Sequence, residues 1–335
     1  MATVRIYLPT YRRERLLKRA VESLLCQTFS DWICEIHDDD PTDGSARSLV
    51  DRLSDPRFVL DHHPRNLGGT ATFNLFFHPT REPFYSILED DNWWEPDFLM
   101  TMLDAARVFP GAGVFWANMR IWQEWPDGSW HDTGRLVHPM PQDSSPRSVA
   151  WGQPSQLHSA LHSNGAALFR SAPGHDYAIP DVPFSVIEMF RERLFPFPLV
   201  FVPRPLANFS LTISTERSND RGEWAAMQSM LAATFLKHAG YGDEQFEALW
   251  AHARAQRPPT TSVLLLASFL DPSCSGLRRH ARRRDWLLLV RGALRRPWVL
   301  RRALRVRRQY PKFWDFLDHA TAVRFAESRR NPYPA

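Results

Sequence analysis

The chain is poor in cysteine and contains no long apolar run. Its three cysteines, Cys26, Cys34 and Cys274, have neither paired-ligand spacing nor the number for a disulfide framework, so structural thiols in a reducing compartment are expected. No uninterrupted apolar stretch approaches the roughly 18 residues of a membrane span. The N-terminus opens on the strand-like Val4-Arg5-Ile6-Tyr7-Leu8 and not on an apolar signal core. A cytosolic protein, neither secreted nor membrane-spanning, is the expectation. Internal repeats are absent, and arginine is the one compositional bias. What is present is enough apolar material, 44% of 335 residues, to bury a full core and build one main domain with an appendage.

The net charge of +4 is modest, but thirteen arginines lie between Arg278 and Arg308. They interleave with Trp286-Leu287-Leu288-Leu289-Val290 and Trp298-Val299-Leu300. Over residues 276 to 310 this is the composition of a basic amphipathic helix lying on the inner, anionic face of a membrane. Arginine among Trp and Leu clusters suits a lipid interface better than a base-reading surface, so nucleic acid is not an expected partner.

From residue 4 to about 118, strand-like and helix-like segments alternate. A strand over Val4 to Leu8 leads to a helix from Arg13 to Thr28, with Leu16, Leu17, Ala20, Val21, Leu24 and Leu25 on one face. Trp32 to His37 reads as the next strand, and Asp38-Asp39-Asp40-Pro41-Thr42-Asp43-Gly44-Ser45 as a turn in which Asp43 caps a short helix. Further strands are expected at Phe58 to His62, Pro83 to Leu88 and Gly113 to Trp116, with helices near Ala71 to Phe77 and after Pro96. Such alternation predicts an α/β fold with a doubly wound, mainly parallel sheet. Residues 120 to 160 lack periodicity and read as long loops over the C-terminal edge of that sheet. A helix over Val186 to Leu194 and a short strand, Leu199 to Val202, close the domain near residue 215. Helices at Glu223 to His238 and Glu244 to Gln256 then precede a break at Pro258-Pro259 and the basic segment.

The run Leu88-Glu89-Asp90-Asp91-Asn92-Trp93-Trp94-Glu95-Pro96 ends a strand with three consecutive acids. The C-terminal edge of an open α/β sheet is where ligands bind, and hard oxygen ligands there suit Mg²⁺ or Mn²⁺ carrying a diphosphate. Strand alternation would set Glu89 and Asp91 on one face and Asp90 on the other, unless the strand has already turned. The same acids would also stabilise the positive end of the following helix.

Three more elements precede that run: Leu8-Pro9-Thr10-Tyr11-Arg12-Arg13-Glu14, the Asp38 to Ser45 turn, and Asn66-Leu67-Gly68-Gly69-Thr70-Ala71-Thr72-Phe73-Asn74. In this order and spacing, the four elements resemble the family 2 glycosyltransferases over about residues 3 to 215. The resemblance implies a GT-A (Rossmann-like) domain with a nucleotide-sugar half at 1–118, an acceptor half at 119–215 and a helical extension at 216–335. It implies a nucleotide site of Pro9, Thr10, Tyr11, Arg13, Asp39, Asn66, Gly68 and Asp90, with Tyr11 stacked on the base, Asp39 hydrogen-bonded to it and Asp38 ordering the turn. Asp91, supported by Glu89, would ligate the metal. The chain departs from the family pattern at Asp40-Pro41, where Gly-Ser is usual, at Phe73, where an arginine is common, and at Glu89 and Asn92, where Asp or another acid is common. Arg65, His62 and His63 read as surface or packing residues.

Inversion at an anomeric carbon needs a carboxylate to take the acceptor hydroxyl's proton while the diphosphate leaves. The resemblance points to Asp181 or Glu188 for this role. Asp181 is preferred because it leads a helix and can face the cleft, whereas Glu188 on a helix flank could instead pair with an arginine. Asn164, in Ser163-Asn164-Gly165-Ala166, resembles the family's acceptor-side segment. The implied activity is transfer of a sugar from a nucleoside diphosphate, UDP favoured, to a saccharide or lipid-linked acceptor. A sugar nucleotidyltransferase would need a Gly-rich phosphate loop after the first strand, and Pro9 to Arg13 contains no glycine. The remaining alternative is a non-catalytic scaffold whose basic tail carries the function.

Overall fold

The computed structural model describes residues 2–213 and 220–330. The first half alternates strand and helix: β1 (Val4–Thr10), α1 (Glu14–Leu25), β2 (Trp32–Asp38), α2 (Ser45–Leu53), β3 (Phe58–His62), α3 (Gly69–Asn74), β4 (Phe84–Ile87), β5 (Trp93–Trp94), α4 (Phe98–Val108) and β6 (Val114–Glu124). There follow β7 (Trp130–Leu136), β8 (Arg147–Val149), β9 (Ala167–Arg170), α5 (Ile187–Arg191) and β10 (Leu199–Leu211). The path through the sheet is β3-β2-β1-β4-β9-β6-β10-β5, with β7 on β6 and β8 on β10. Strands β3, β2, β1 and β4 are parallel, β9 runs antiparallel to both β4 and β6, and β10 is parallel to β6.

Two cores form because β1 alternates. Val4, Ile6 and Leu8 point to one face, where they meet Leu17, Ala20, Val21 and Leu24 of α1 and Phe98, Leu99 and Met102 of α4. Tyr7 points to the other face and stacks on Phe76 with ring centroids 4.8 Å apart. Helices on both faces of the sheet make the fold doubly wound.

The second core continues into the helical extension: α6 (Arg221–Ala239), α7 (Asp243–Ala255), α8 (Thr261–Leu270), α9 (Arg283–Arg295), α10 (Pro297–Gln309) and α11 (Pro311–Arg330). Helix α6 is apolar nearly all round, as a central helix must be, and is wrapped by α8, α10 and α11. Asp220 caps its start, accepting the Gly222 and Glu223 amides, and Gly240 ends it at φ 67°. Phe316 of α11 stacks on Phe190 of α5, so the extension shares its packing with the sheet domain.

Two expectations change, and a third falls outside the described residues. The segment 120–160 carries the β6–β7 hairpin and β8, and β6 itself runs through residues 118 and 119. The boundary at 215 lies outside the described residues. The strand expected over Leu199 to Val202 continues to Leu211 through register shifts at Pro205. Pro203 and Pro205 lack N–H donors, and the strand bulges past them instead of ending.

Candidate functional site

Parallel register brings the four motifs together. Thr10 pairs with Asp38 and Asp38 with His62, while Tyr7 pairs with Ile87, so the ends of β1, β2, β3 and β4 lie side by side. Strand β4 stops at Ile87, and the Asn92 N–H donates to the Glu89 carbonyl at 3.0 Å, closing a turn. The alternation that would separate Asp90 from its neighbours therefore does not apply. Thr10 Oγ1 donates to Asp90 Oδ2 at 2.9 Å, and Arg13 Nη1 reaches Asp90 Oδ1 at 3.3 Å and Asp91 Oδ2 at 3.0 Å. Glu89 accepts Asn92 Nδ2 at 2.6 Å and has no ion pair among the described residues.

Asp90 is buried and Glu89 and Asp91 are half-buried, and each carries the cost of leaving water. Glu89 is held well above the usual carboxylate range by burial and then by the charges of Asp91, Glu188 and Asp90. Burial, with Asp91 next, pushes Asp90 up to about 7; Asp91 is raised chiefly by burial, against the pull of Arg13 and Arg19. Such a set of mutually repelling oxygens fits a hard divalent cation.

Glu188 of α5 joins this cluster, because its Oε1 accepts the Asn164 main-chain N–H at 2.6 Å. Both polar side-chain atoms of Asn164 are buried and unpartnered in the protein. Gly165 is packed beneath: its carbonyl accepts Trp94 Nε1 at 2.7 Å, and an added Cβ would lie 2.7 Å from Glu89 Oε2. Asp181 is exposed and makes no hydrogen bond or ion pair with a described residue.

The nucleotide-side residues divide. Tyr11 is 41% exposed with the Arg12 guanidinium 5.0 Å from its centroid, and Arg12, at φ 56°, is pinned by an ion pair to Asp40. Asp39 is buried and accepts Leu67 N at 2.7 Å, Gly68 N at 3.0 Å and His63 Nδ1–H at 3.0 Å, so it holds the Asn66–Gly68 turn in place. Gly68, at φ 82°, takes a conformation that favours glycine. Asn66 and Arg65 are exposed, and Phe73 is buried against Phe76 and Phe184.

Sequence reasoning missed Arg19. Its guanidinium lies 3.9 Å from the centroids of both Trp93 and Trp130 and donates to the Asp91 carbonyl at 2.6 Å. Burial lowers it to about 10. The signal was there: Arg19 follows Leu16 by one helical turn and so faces the sheet.

A doubly wound sheet whose C-terminal edge gathers carboxylates beside a strand-turn-helix opening defines a GT-A domain. Residues 5–157 match the model of "Glycosyl transferase family 2", which places this part of the sheet domain in that family. WcaA of Escherichia coli, whose name assigns it to colanic acid biosynthesis as a glycosyl transferase, is 33% identical over 121 residues, 36% of this chain and 43% of WcaA. Succinoglycan biosynthesis protein ExoW of Rhizobium meliloti is 27% identical over 123 residues, 36% of this chain and 38% of ExoW. The chain thus matches less than half the length of these curated relatives. Across nearly its whole length it has the fold of S. aureus TarS 1–349 in complex with UDP, at 13% identity and TM-score 0.57, covering 99% of this chain and 92% of that one.

Proposed function

We propose that the protein is an inverting glycosyltransferase that moves a sugar from a nucleoside diphosphate to a saccharide or lipid-linked acceptor. One observation carries the reading: half-buried Glu188 from α5 lies close enough to raise Glu89 by its charge, so that it shares one locus at the sheet's C-terminal edge with Glu89, Asp90 and Asp91 of the β4 turn. UDP is the favoured carrier, in keeping with the UDP and UDP-GlcNAc named in the TarS structures. Tyr11 offers an exposed aromatic face for a base beside Thr10 and Arg13.

In this reading Glu188 is the base. It takes the proton of the acceptor hydroxyl, that oxygen bonds to the anomeric carbon, and the bond to the diphosphate breaks on the opposite face. Asn164 holds a sugar hydroxyl with the amide atoms that have no protein partner. Arg13 orients Asp90 and Asp91, and Arg19 fixes the Asp91 main chain. Asp91 and Glu89 are the residues that would hold Mg²⁺ or Mn²⁺, which when bound neutralises charge on the leaving diphosphate.

No helix among the described residues is long and apolar enough to cross a membrane. The proposed site of membrane contact is α9 and α10, where Leu287, Leu294 and Trp298 are 68%, 80% and 60% exposed. Arg291, Arg295, Arg296, Arg301 and Arg305 lie among them without ion pairs to described residues. That pairing of unburied apolar groups with unneutralised cations fits an anionic lipid surface.

The decisive experiment is calorimetric titration of UDP, GDP and dTDP, with and without Mn²⁺, on wild type and Asp91→Ala. Binding of one nucleotide that needs both metal and Asp91 supports the reading. Absence of metal-dependent binding for all three leaves the non-catalytic scaffold.

A further inference from the structure

On the Phe76 face of the sheet, behind Asp39, three side chains from β2 and β3 converge. His37 is the β-partner of Asp61, and His63 follows β3 directly. His37 Nδ1 lies 3.1 Å from His63 Nε2 and 3.6 Å from Asp61 Oδ2, and one ligand atom from each residue falls within 4.8 Å of the other two. Both imidazoles are buried, His37 edge-on to Phe76 at 4.8 Å, while Asp61 is exposed and opens the cluster to solvent.

The protons do not close on two neutral rings. Asp39 can only accept, so His63 Nδ1 must carry a hydrogen, which leaves His63 Nε2 bare. His37 Nδ1 must then donate to it. That leaves His37 Nε2 as a bare lone pair, buried, without a hydrogen bond, and 3.2 Å from Glu35 Oε1. A cation between the rings removes the conflict: His37 Nδ1 and His63 Nε2 both offer lone pairs to it, and His37 Nε2 carries a hydrogen toward Glu35. Imidazoles whose far nitrogens sit against carboxylates are the arrangement that orients metal-binding histidines. Two Zn–N bonds of roughly 2.0–2.1 Å at a tetrahedral angle span about 3.3 Å, close to the nitrogen separation here.

We propose that His37, His63 and Asp61 bind a divalent transition-metal ion of the Zn²⁺ class, at a site separate from the Glu89–Asp91 acids. Nitrogen ligands select such an ion over Mg²⁺. The fourth position is left to water. By fixing His63, the ion fixes Asp39 and through it the Leu67 and Gly68 amides, so the nucleotide-side turn is braced from behind.

The test uses the full chain without a histidine tag, stripped with chelator and titrated with Zn²⁺ against a chromophoric chelator, then with Co²⁺ for its ligand-field absorption. Wild type should take up one equivalent with a tetrahedral Co²⁺ spectrum and a higher Tm in Zn²⁺. Asp61→Asn, at an exposed position that leaves packing intact, should bind tenfold or more weakly, His37→Gln should lose stoichiometric binding, and Asp91→Asn should keep it. Wild-type affinity no better than that of His37→Gln would overturn the proposal. Loss of the tight equivalent in Asp91→Asn would overturn it too, by assigning the ion to the acid cluster.

Discussion

Glu188 Oε1 accepts the Asn164 main-chain N–H at 2.6 Å, and this bond joins α5 to the segment lying over Glu89. Sequence reasoning favoured Asp181 as base because it leads a helix, yet Asp181 is exposed and unattached to the acids. Glu188→Gln should therefore lower kcat by on the order of 10²–10⁴, the usual worth of a general base, with nucleotide affinity unchanged. Asp181→Asn should stay within about twofold of wild type. Steady-state kinetics on the two variants, with calorimetry for the nucleotide, decides between them; the reverse ranking would return the role to Asp181.

Gly165 offers a second handle on the same acids. A methyl there would meet Glu89 Oε2 at 2.7 Å and Asn92 Nδ2 at 3.0 Å, and the main chain cannot retreat because Trp94 Nε1 holds the Gly165 carbonyl. Asn92 is itself tied to β10 through the Ser210 amide, so Glu89 is the group that must move. Gly165→Ala is expected to cost about 1–3 kcal/mol of stability by overpacking. The folded fraction should lose at least about tenfold in kcat, as displaced catalytic geometry does. Thermal melts and kinetics on one preparation separate the two effects, and a normal kcat would mean that Glu89 does not contribute to turnover.

What was legible in the chain was what local spacing encodes. The α1 face repeats apolar residues at helical spacing, and Leu16, Leu17, Ala20, Val21 and Leu24 pack as read while Leu25 is exposed; the four motifs meet because each follows one of the mutually parallel strands β1 to β4. What failed needed tertiary knowledge. Strand β7 is exposed over most of its length and so shows no alternation. In β10, two prolines imitate a stop. The His37–His63 pair depends on β2–β3 register, and His63 in isolation reads as a packing residue.

His158 makes stability depend on pH in a defined direction. Its ring is largely buried, with His252 and Arg193 as neighbours, and burial, then His252, lowers its pKa to about 4. An unfolded histidine takes a proton below about 6.5, whereas the folded one waits until about 4. Between these values the unfolded state holds more protons, so stability is full above about pH 6.5 and falls as pH drops, by at most about 3 kcal/mol. Urea unfolding across that window should show the slope in wild type and a flatter one in His158→Phe. Equal slopes would assign the acid sensitivity to other groups.

The membrane reading first suggests deleting residues 276 to 310, but the packing argues against that test. Ala303 and Val306 of α10 are fully buried, and α10 lies along the central helix α6, so deletion would uncover the core of the extension and confuse unfolding with lost binding. Leu287, Leu294 and Trp298 project away from that core and can be changed without opening it. Wild type should sediment with anionic vesicles, less so as salt rises, since Coulomb attraction to the surface is screened within about 10 Å at 0.1 M ionic strength. The triple variant Leu287→Ser, Leu294→Ser, Trp298→Ser should lose most of that binding, because the apolar area that would enter the interface is gone while the arginines remain. Its Tm should match wild type. Equal sedimentation of the two proteins would mean that the arginines bind by charge alone, and that the exposed apolar groups of α9 and α10 serve some other contact.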